Sequence, residues 1–363
     1  MEVLSLADNH RPRILVTRLS HIGDCVLTIP MLLALRRHFP QAHIAWAIER
    51  PADQLIESLP GLDELIVLRK GWLKSLSQLR HLRARLQSQR FDVTIDPQSL
   101  TRSALPAWLS GARYRIGFAS GTGRELSLVW NNVQVVAEHE HVVDRTLQLL
   151  QPLGVPAHVP NSADVRFIIP AHDAARLKIG EYVRDAHLGC DFAVINPGAG
   201  WHSRRWPLKN FAVVARRLGQ EQRMPSVVTW AGEDERRWAE QIVEQAGGHA
   251  LLAPPTTLRD LAELMRHCRM FVGSDTGPLH IANAVGVPCV ALHGTTRPEC
   301  SGAYGNHHIA VQSYYQQGSA RQRRRGDNEA MRAITPEMVY SACQQMLARL
   351  TLERNRGSGE QAA

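Results

Sequence analysis

Short apolar runs alternate with amphipathic stretches along most of the chain. Arg13–Thr17 reads as a buried strand, followed by a loop over 18–24 and an apolar helix over about 26–38. The pattern recurs as a strand at 43–48, a helix at 52–59, a strand at Glu64–Leu68, a long helix over 72–89 and a strand at 92–96. A second series places a strand at 192–196, a helix at 208–218, a strand at 226–230, a helix at 233–244 and a strand, turn, helix and strand across 271–292. Strands alternating with helices predict a parallel, doubly wound α/β sheet, here twice over.

Between the two series, residues 155–189 carry Pro156, Pro160 and Pro170 before a helical stretch at 171–186, which suggests a hinge at about 170–190. The expected organisation is an N-terminal domain over 1–170 and a C-terminal domain over 171–334. After Gly294 the pattern loosens, and 295–327, with Arg321, Arg323, Arg324 and Arg325, is expected to be a mobile basic loop. Thr335, Pro336 and Glu337 read as the cap and first turn of a closing helix over 335–352, leaving 353–363 as an expected disordered tail.

The chemistry concentrates where strands end. Phe271 and Val272 close an apolar run, Gly273 and Ser274 release it, and Asp275, Thr276, Gly277 and Pro278 open a helix that Gly286 stops. A helix start carries roughly half a positive charge and unpaired N–H donors, so a diphosphate can settle against Thr276 and Gly277. The same residues also make a sound capping turn without any ligand. The loop Asn196-Pro197-Gly198-Ala199-Gly200 opens its backbone to phosphate oxygens, and Arg204 or Arg205 can neutralise them. It is neither a Gly-Lys-Ser/Thr loop nor a GxGxxG fingerprint, so NTPase and dehydrogenase readings lose support.

Ser20-His21-Ile22-Gly23-Asp24 follows the first strand, at the edge where open α/β sheets bind ligands. Asp24 is a candidate base or a helix cap, and Gly23 permits close approach of another molecule. After the strand at 226–230, one carboxylate among Glu233, Asp234 and Glu235 can accept from ribose hydroxyls, or all three simply complement a helix dipole.

Composition narrows the partners. At 363 residues the chain has room for two ordinary domains. Cys25, Cys190, Cys268, Cys289, Cys300 and Cys343 include no CxxC pair, and the 17 histidines include no HExxH, so no metal, zinc site or disulfide frame is expected. The net charge of +8 favours an anionic partner, while the absence of zinc-finger, RNP-like or basic-zipper patterns argues against nucleic acid. The start lacks a signal peptide's features, and the apolar run at 25–35 is interrupted by Thr28 and Pro30 and too short to span a bilayer, so a reducing cytoplasmic location is expected. Leu73, Leu76, Leu79, Leu82 and Leu86 read as a core-facing stripe. Flanked by Arg69, Lys70, Trp72, Lys74, Arg80, Arg83 and Arg85, that stretch is also a candidate for resting on an anionic membrane surface.

Four ordered motifs, Gly23-Asp24, Pro197-Gly198-Ala199 with Arg204-Arg205-Trp206-Pro207, Gly232-Glu233, and Ser274-Asp275-Thr276-Gly277-Pro278-Leu279-His280, resemble glycosyltransferase family 9, the ADP-heptose:lipopolysaccharide heptosyltransferases. The resemblance runs from about Arg13 to Leu347, including Met331–Val339 near the closing helix. It implies a GT-B fold: two Rossmann-like doubly wound domains across an interdomain cleft, the first binding acceptor and the second nucleotide sugar. It implies Asp24 as the general base of an inverting transfer from ADP-heptose to an anionic lipopolysaccharide inner-core acceptor, with Ser20, His21 and Gly23 beside the acceptor. Donor contacts would come from Gly198, Ala199, Gly200, Arg204, Glu233, Asp275, Thr276, Gly277, Pro278 and His280. No cofactor is implied beyond the ADP-heptose co-substrate, and the implied location is cytoplasmic and peripheral to the inner membrane.

Two departures stand out. Arg204 occupies a place usually held by Lys, which keeps the charge but presents a wider planar donor. Ala330 replaces a usual cysteine, which removes support for a cysteine pair at Cys300. A non-catalytic nucleotide-sugar or lipid-core binding protein and a GT-B-like sugar-nucleotide epimerase remain the alternatives.

Overall fold

The computed structural model describes residue 4 and residues 11–69, 71–162 and 164–360, the side chains of 320 and 355–360 excepted. Lys70, most of the chain start on which the lack of a leader was read, and residues 361–363 lie outside the described residues. The chain divides into two compact units, Met1–Pro170 and Ala171–Ala363.

In the first unit β1 (Arg13–Thr17), β2 (His43–Glu49), β3 (Glu64–Leu68), β4 (Val93–Asp96), β5 (Tyr114–Phe118) and β6 (Val133–Val135) form one sheet. Its order is β3-β2-β1-β4-β5-β6 and every neighbouring pair is parallel. Ile14, Leu15 and Val16 are all fully buried, because helices on both faces cover a parallel strand. After β3 the chain returns to the other side of β1, so the winding direction reverses between β1 and β4. That reversal splays the two connections apart and leaves a crevice beyond the carboxyl ends of those strands.

The second unit repeats the plan with β7 (Ala193–Asn196), β8 (Ser226–Val228), β9 (Ala250–Leu252), β10 (Met270–Ser274), β11 (Cys289–Leu292) and β12 (Ile309–Val311). The order β12-β11-β10-β7-β8-β9 is again all parallel and reverses between β7 and β10. Its core joins Ile195, Trp206, Phe211 and Val272 to Val339, Tyr340, Cys343 and Met346 of the last helix.

Several expectations change. The first helix spans Ile22–His38 and begins a turn early, which places Asp24 inside its first turn. The long helix over 72–89 is split into a 3₁₀ turn at Trp72–Lys74 and a helix at Leu76–Ser88, because Ser75 Oγ accepts from Gln78 N at 3.3 Å and caps a new start. Of its leucines, Leu82 and Leu86 are buried, whereas Leu73 and Leu76 are 42% and 74% exposed. The basic stretch 295–327 is ordered into a helix at Pro298–Ser301, β12 and a helix at Ala320–Arg325, since Val311 packs into the core beside β11. The last helix runs Pro336–Glu360, so 353–360 is helical rather than a disordered tail. Leu347 and Leu350 anchor it on the core, and Leu352, Glu353 and Arg354, all good helix formers, extend it.

Candidate functional site

In the second unit the loops leaving β7, β8 and β10 meet at one sheet edge. A Cβ on Gly198 would run into the Glu235 carboxylate where that side chain now lies, so the 197–200 loop and Glu235 are packed closely together. The neighbouring helix, Gly232–Gln245, starts with Gly232 at φ +75°, a left-handed conformation that glycine adopts without strain. Glu235, one turn in, folds back so that its Oε2 accepts from Ala231 N at 2.9 Å. Burial raises its carboxyl above the ordinary value, against the pull of that hydrogen bond and of Arg205. Glu233, the carboxylate favoured by the resemblance, points from the exposed side of the first turn. The helical offset that brings Glu235 against the loop depends on where the helix starts, which the motif alone does not define.

Arg205 Nε donates to Ala199 O at 3.1 Å and its guanidinium sits 4.5 Å from the Trp238 ring, so it braces the glycine loop. Arg204 turns the other way. Its Nη1 donates to Asp275 O at 2.8 Å and lies 4.0 Å from Asp275 Oδ2, while the guanidinium is 4.1 Å from the Trp201 ring centroid. Trp206, fully buried, pins this turn by donating from Nε1 to Ile334 O at 2.8 Å.

Asp275 is itself buried, 3% exposed. Its Oδ1 lies 3.2 Å from His280 Nε2, and its Oδ2 accepts from Ser301 Oγ at 3.1 Å. Burial would push its carboxyl up, but the His280 hydrogen bond and the charges of His293, His280 and Arg204 outweigh that and hold it far below the usual carboxylate range. The residue is therefore an ionised anchor on which Arg204 and His280 are set. Sequence reading missed Ser301 and the fully buried His293, whose own titration is lowered by burial.

Asp275 leads into the Gly277–Ala284 helix, with Thr276 at the cap position and Pro278 in the first turn. Thr276 Oγ1 donates back to Ser274 O at 3.3 Å, and among the described residues the cap position makes no side-chain hydrogen bond to the first turn. Among the described residues the Thr276 side chain therefore leaves the dipole of this helix start uncapped, with Leu279 N turned to Thr276 O at 3.1 Å.

In the first unit the loop after β1 brings Ser20, His21, Gly23 and Asp24 to the reversal point. Asp24 Oδ2 accepts from His21 N at 3.3 Å and lies 3.0 Å from Arg18 Nη2. Arg18 is 6% exposed, and its Nη1 donates to Pro97 O at 2.9 Å. The carboxylate, with its side chain 38% exposed, is oriented from below by a buried cation. Ser20 is half-buried, His21 is exposed and Gly23 is enclosed in the first helical turn. Arg18 was the missed member: an arginine immediately after an apolar strand is the signal that could have found it.

Next to Arg18, the buried Asp96 closes β4. It accepts from Ser99 N at 2.9 Å and from Asn131 Nδ2 at 3.1 Å, yet burial pushes its carboxyl up to about 6. A raised acid stabilises the fold only while protonated: that contribution is full below about pH 4 and is lost as pH rises through about 6. Asp96→Asn is expected to stabilise the protein at pH 7.5 by on the order of 2 kcal/mol, the gain vanishing near pH 4. Among the described residues Asn131 Oδ1 has no partner, and it can accept from the new amide after a flip. Urea midpoints of both proteins across that range measure it, and a pH-independent difference refutes the assignment.

A family model described as glycosyltransferase family 9 (heptosyltransferase) matches residues 79–331. Lipopolysaccharide heptosyltransferase 1 of Pseudomonas aeruginosa is 28% identical over 320 residues, covering 83% of this chain and 84% of that protein. The crystal structure of a family 9 glycosyl transferase from Veillonella parvula matches with a TM-score of 0.82 at 26% identity, over 94% of this chain and 99% of that one. Escherichia coli heptosyltransferase WaaC with ADP shares the fold, with a TM-score of 0.72 at 20% identity over 92% and 99% of the two chains. Two doubly wound units of this topology have the GT-B fold, and the family match makes the chain a transferase. The chain belongs to glycosyltransferase family 9, the heptosyltransferases.

Proposed function

We propose that this enzyme transfers heptose from ADP-heptose to a hydroxyl of a lipopolysaccharide inner-core acceptor, with inversion at the anomeric carbon. The observation that carries the reading is the pairing of Arg204, anchored on Asp275, with a helix start at Gly277 that the side chain of its cap residue, Thr276, leaves uncapped. Positive charge held in advance where a diphosphate leaving group gains negative charge is what such a transfer needs. Gly198, Ala199 and Gly200 line the approach of the nucleotide, and Glu233, or Glu235 beside the glycine loop, accepts from the ribose. Asp24, oriented by Arg18, takes the acceptor proton, with Ser20, His21 and Gly23 beside the acceptor. The reaction so drawn needs no metal, because the helix start and Arg204 supply the charge.

A panel of ADP- and UDP-linked sugars against truncated core acceptors, with EDTA present, tests the reading through ADP release. Release that requires both ADP-heptose and a core acceptor supports it. Turnover of donor without acceptor points to an epimerase, and binding without turnover to a non-catalytic protein; either outcome overturns it.

No helix among the described residues is long and apolar enough to cross a membrane. We place the enzyme at the cytoplasmic face of the inner membrane as a peripheral protein, on the strength of the exposed Leu73 and Leu76 among the exposed Arg69, Lys74, Arg80 and Arg83. Leu76→Glu is expected to reduce co-sedimentation with anionic vesicles about threefold or more while leaving transfer to a soluble acceptor unchanged. Equal sedimentation of the two proteins removes this surface from the proposal.

A further inference from the structure

The Ala320–Arg325 helix packs against the His202–Arg204 turn, and Asn328 Nδ2 donates to Arg205 O at 2.8 Å beside it. Arg323 Nη1 donates to Thr295 O at 3.0 Å, tying this helix to the loop that leaves β11. The guanidinium of Arg324 lies 5.7 Å from the Trp201 ring, the same ring that carries Arg204 at 4.1 Å, so the two cations are no more than about 10 Å apart. Arg297 and Arg323 similarly share Tyr315, at 4.8 and 5.9 Å.

None of Arg297, Arg321, Arg323, Arg324 and Arg325 has an ion-pair partner among the described residues. The nearby Asp327 is taken by Arg332 at 2.9 Å and by His202 at 3.6 Å. Guanidiniums gathered within a Debye length of about 8–10 Å repel one another unless an anion joins them. Aromatic faces hold them at modest gain without cancelling their charge.

We propose that Arg324, supported by Arg323, is a second cation of the nucleoside-diphosphate site. It meets the outer phosphate from its place by the Trp201 ring while Arg204 and the helix start hold the other. Both forks lie by the same ring, and the diphosphate joins them when the site is full. A nucleoside diphosphate fits better than an acceptor anion because Arg324 shares its ring with Arg204, which is fixed beside Thr276 and Gly277. The inference rests on the donor site proposed above.

Calorimetric titration of the full chain with ADP and with AMP separates the possibilities. Arg324→Gln is expected to weaken ADP about three- to tenfold and AMP hardly at all, with partial recovery in Arg324→Lys, which keeps charge but not the fork. Arg323→Gln should produce a smaller loss of the same kind. Unchanged ADP affinity, or parallel weakening of ADP and AMP, overturns the assignment, as does a rise in acceptor KM alone. If Arg204→Gln loses ADP while Arg324→Gln does not, the donor site stands and only the second cation fails. If the unmodified protein binds no ADP, both fall.

Discussion

Asp24→Asn lowers kcat by about 100- to 10,000-fold, the usual contribution of a positioned general base, while ADP affinity stays within about twofold because no donor contact is assigned to that loop. The substitution is chosen for its shape. An amide oxygen can still accept from His21 N, so the start of the Ile22–His38 helix keeps its fold-back contact. Arg18 keeps its bond to Pro97 O but loses its anion, and a modest fall in thermal midpoint is expected from that buried cation. Steady-state ADP release with saturating donor and acceptor measures the first effect, and calorimetry with ADP measures the second. Equal rates for the two proteins would remove Asp24 from the chemistry and leave it a helix-start residue. A fall in kcat matched by lost ADP binding would instead indicate that the unit had been disturbed.

The parts of the molecule that were legible in its sequence are those where one short pattern determines one structure. Apolar runs bounded by glycine or a polar turn gave β1, β7, β10 and β11, because a strand buried on both faces has no polar phase to confuse. The loops after β1, β7, β8 and β10 followed, since their glycines and helix starts are local devices. Residues 97–155 were silent: β5 reads Tyr-Arg-Ile-Gly-Phe and β6 only Val-Gln-Val, too short and too mixed for periodicity to register. β12 hid in a stretch rich in Gly, His and Gln because its order comes from pairing with β11 rather than from its own composition.

At the site, residue types were readable and partners were not. Arg204 rather than Arg205 reaches Asp275, and Glu235 rather than Glu233 meets the glycine loop, because a helix start decides which way each side chain faces. Ser301 and His293 act through a contact distant in the chain or through burial, and no motif carries that information, whereas Arg18 is signalled only by its place directly after β1.

Asp275→Asn tests the anchor on which the donor half depends. The substitution leaves a side chain of the same size but removes the charge that Arg204, His280 and Ser301 surround. Breaking a buried ionic cluster by removing one member typically costs about 3–5 kcal/mol, because the remaining cation is left uncompensated. The pH dependence fixes the cause. Asp275 titrates far below an unfolded carboxyl, so its contribution is fully present above about pH 4 and is lost as pH falls through and below that value. The stability gap between the two proteins should therefore be constant from pH 8 to about pH 5 and narrow toward pH 3, the opposite sense to Asp96→Asn. Urea unfolding at pH 7, 5 and 3 gives the gap, and donor KM at pH 7 gives the functional half, expected to rise about tenfold or more as Arg204 loses its support. A variant as stable as the unmodified protein at pH 7 contradicts an ionised anchor. A gap that persists unchanged at pH 3 traces the loss to packing rather than to the charge of Asp275.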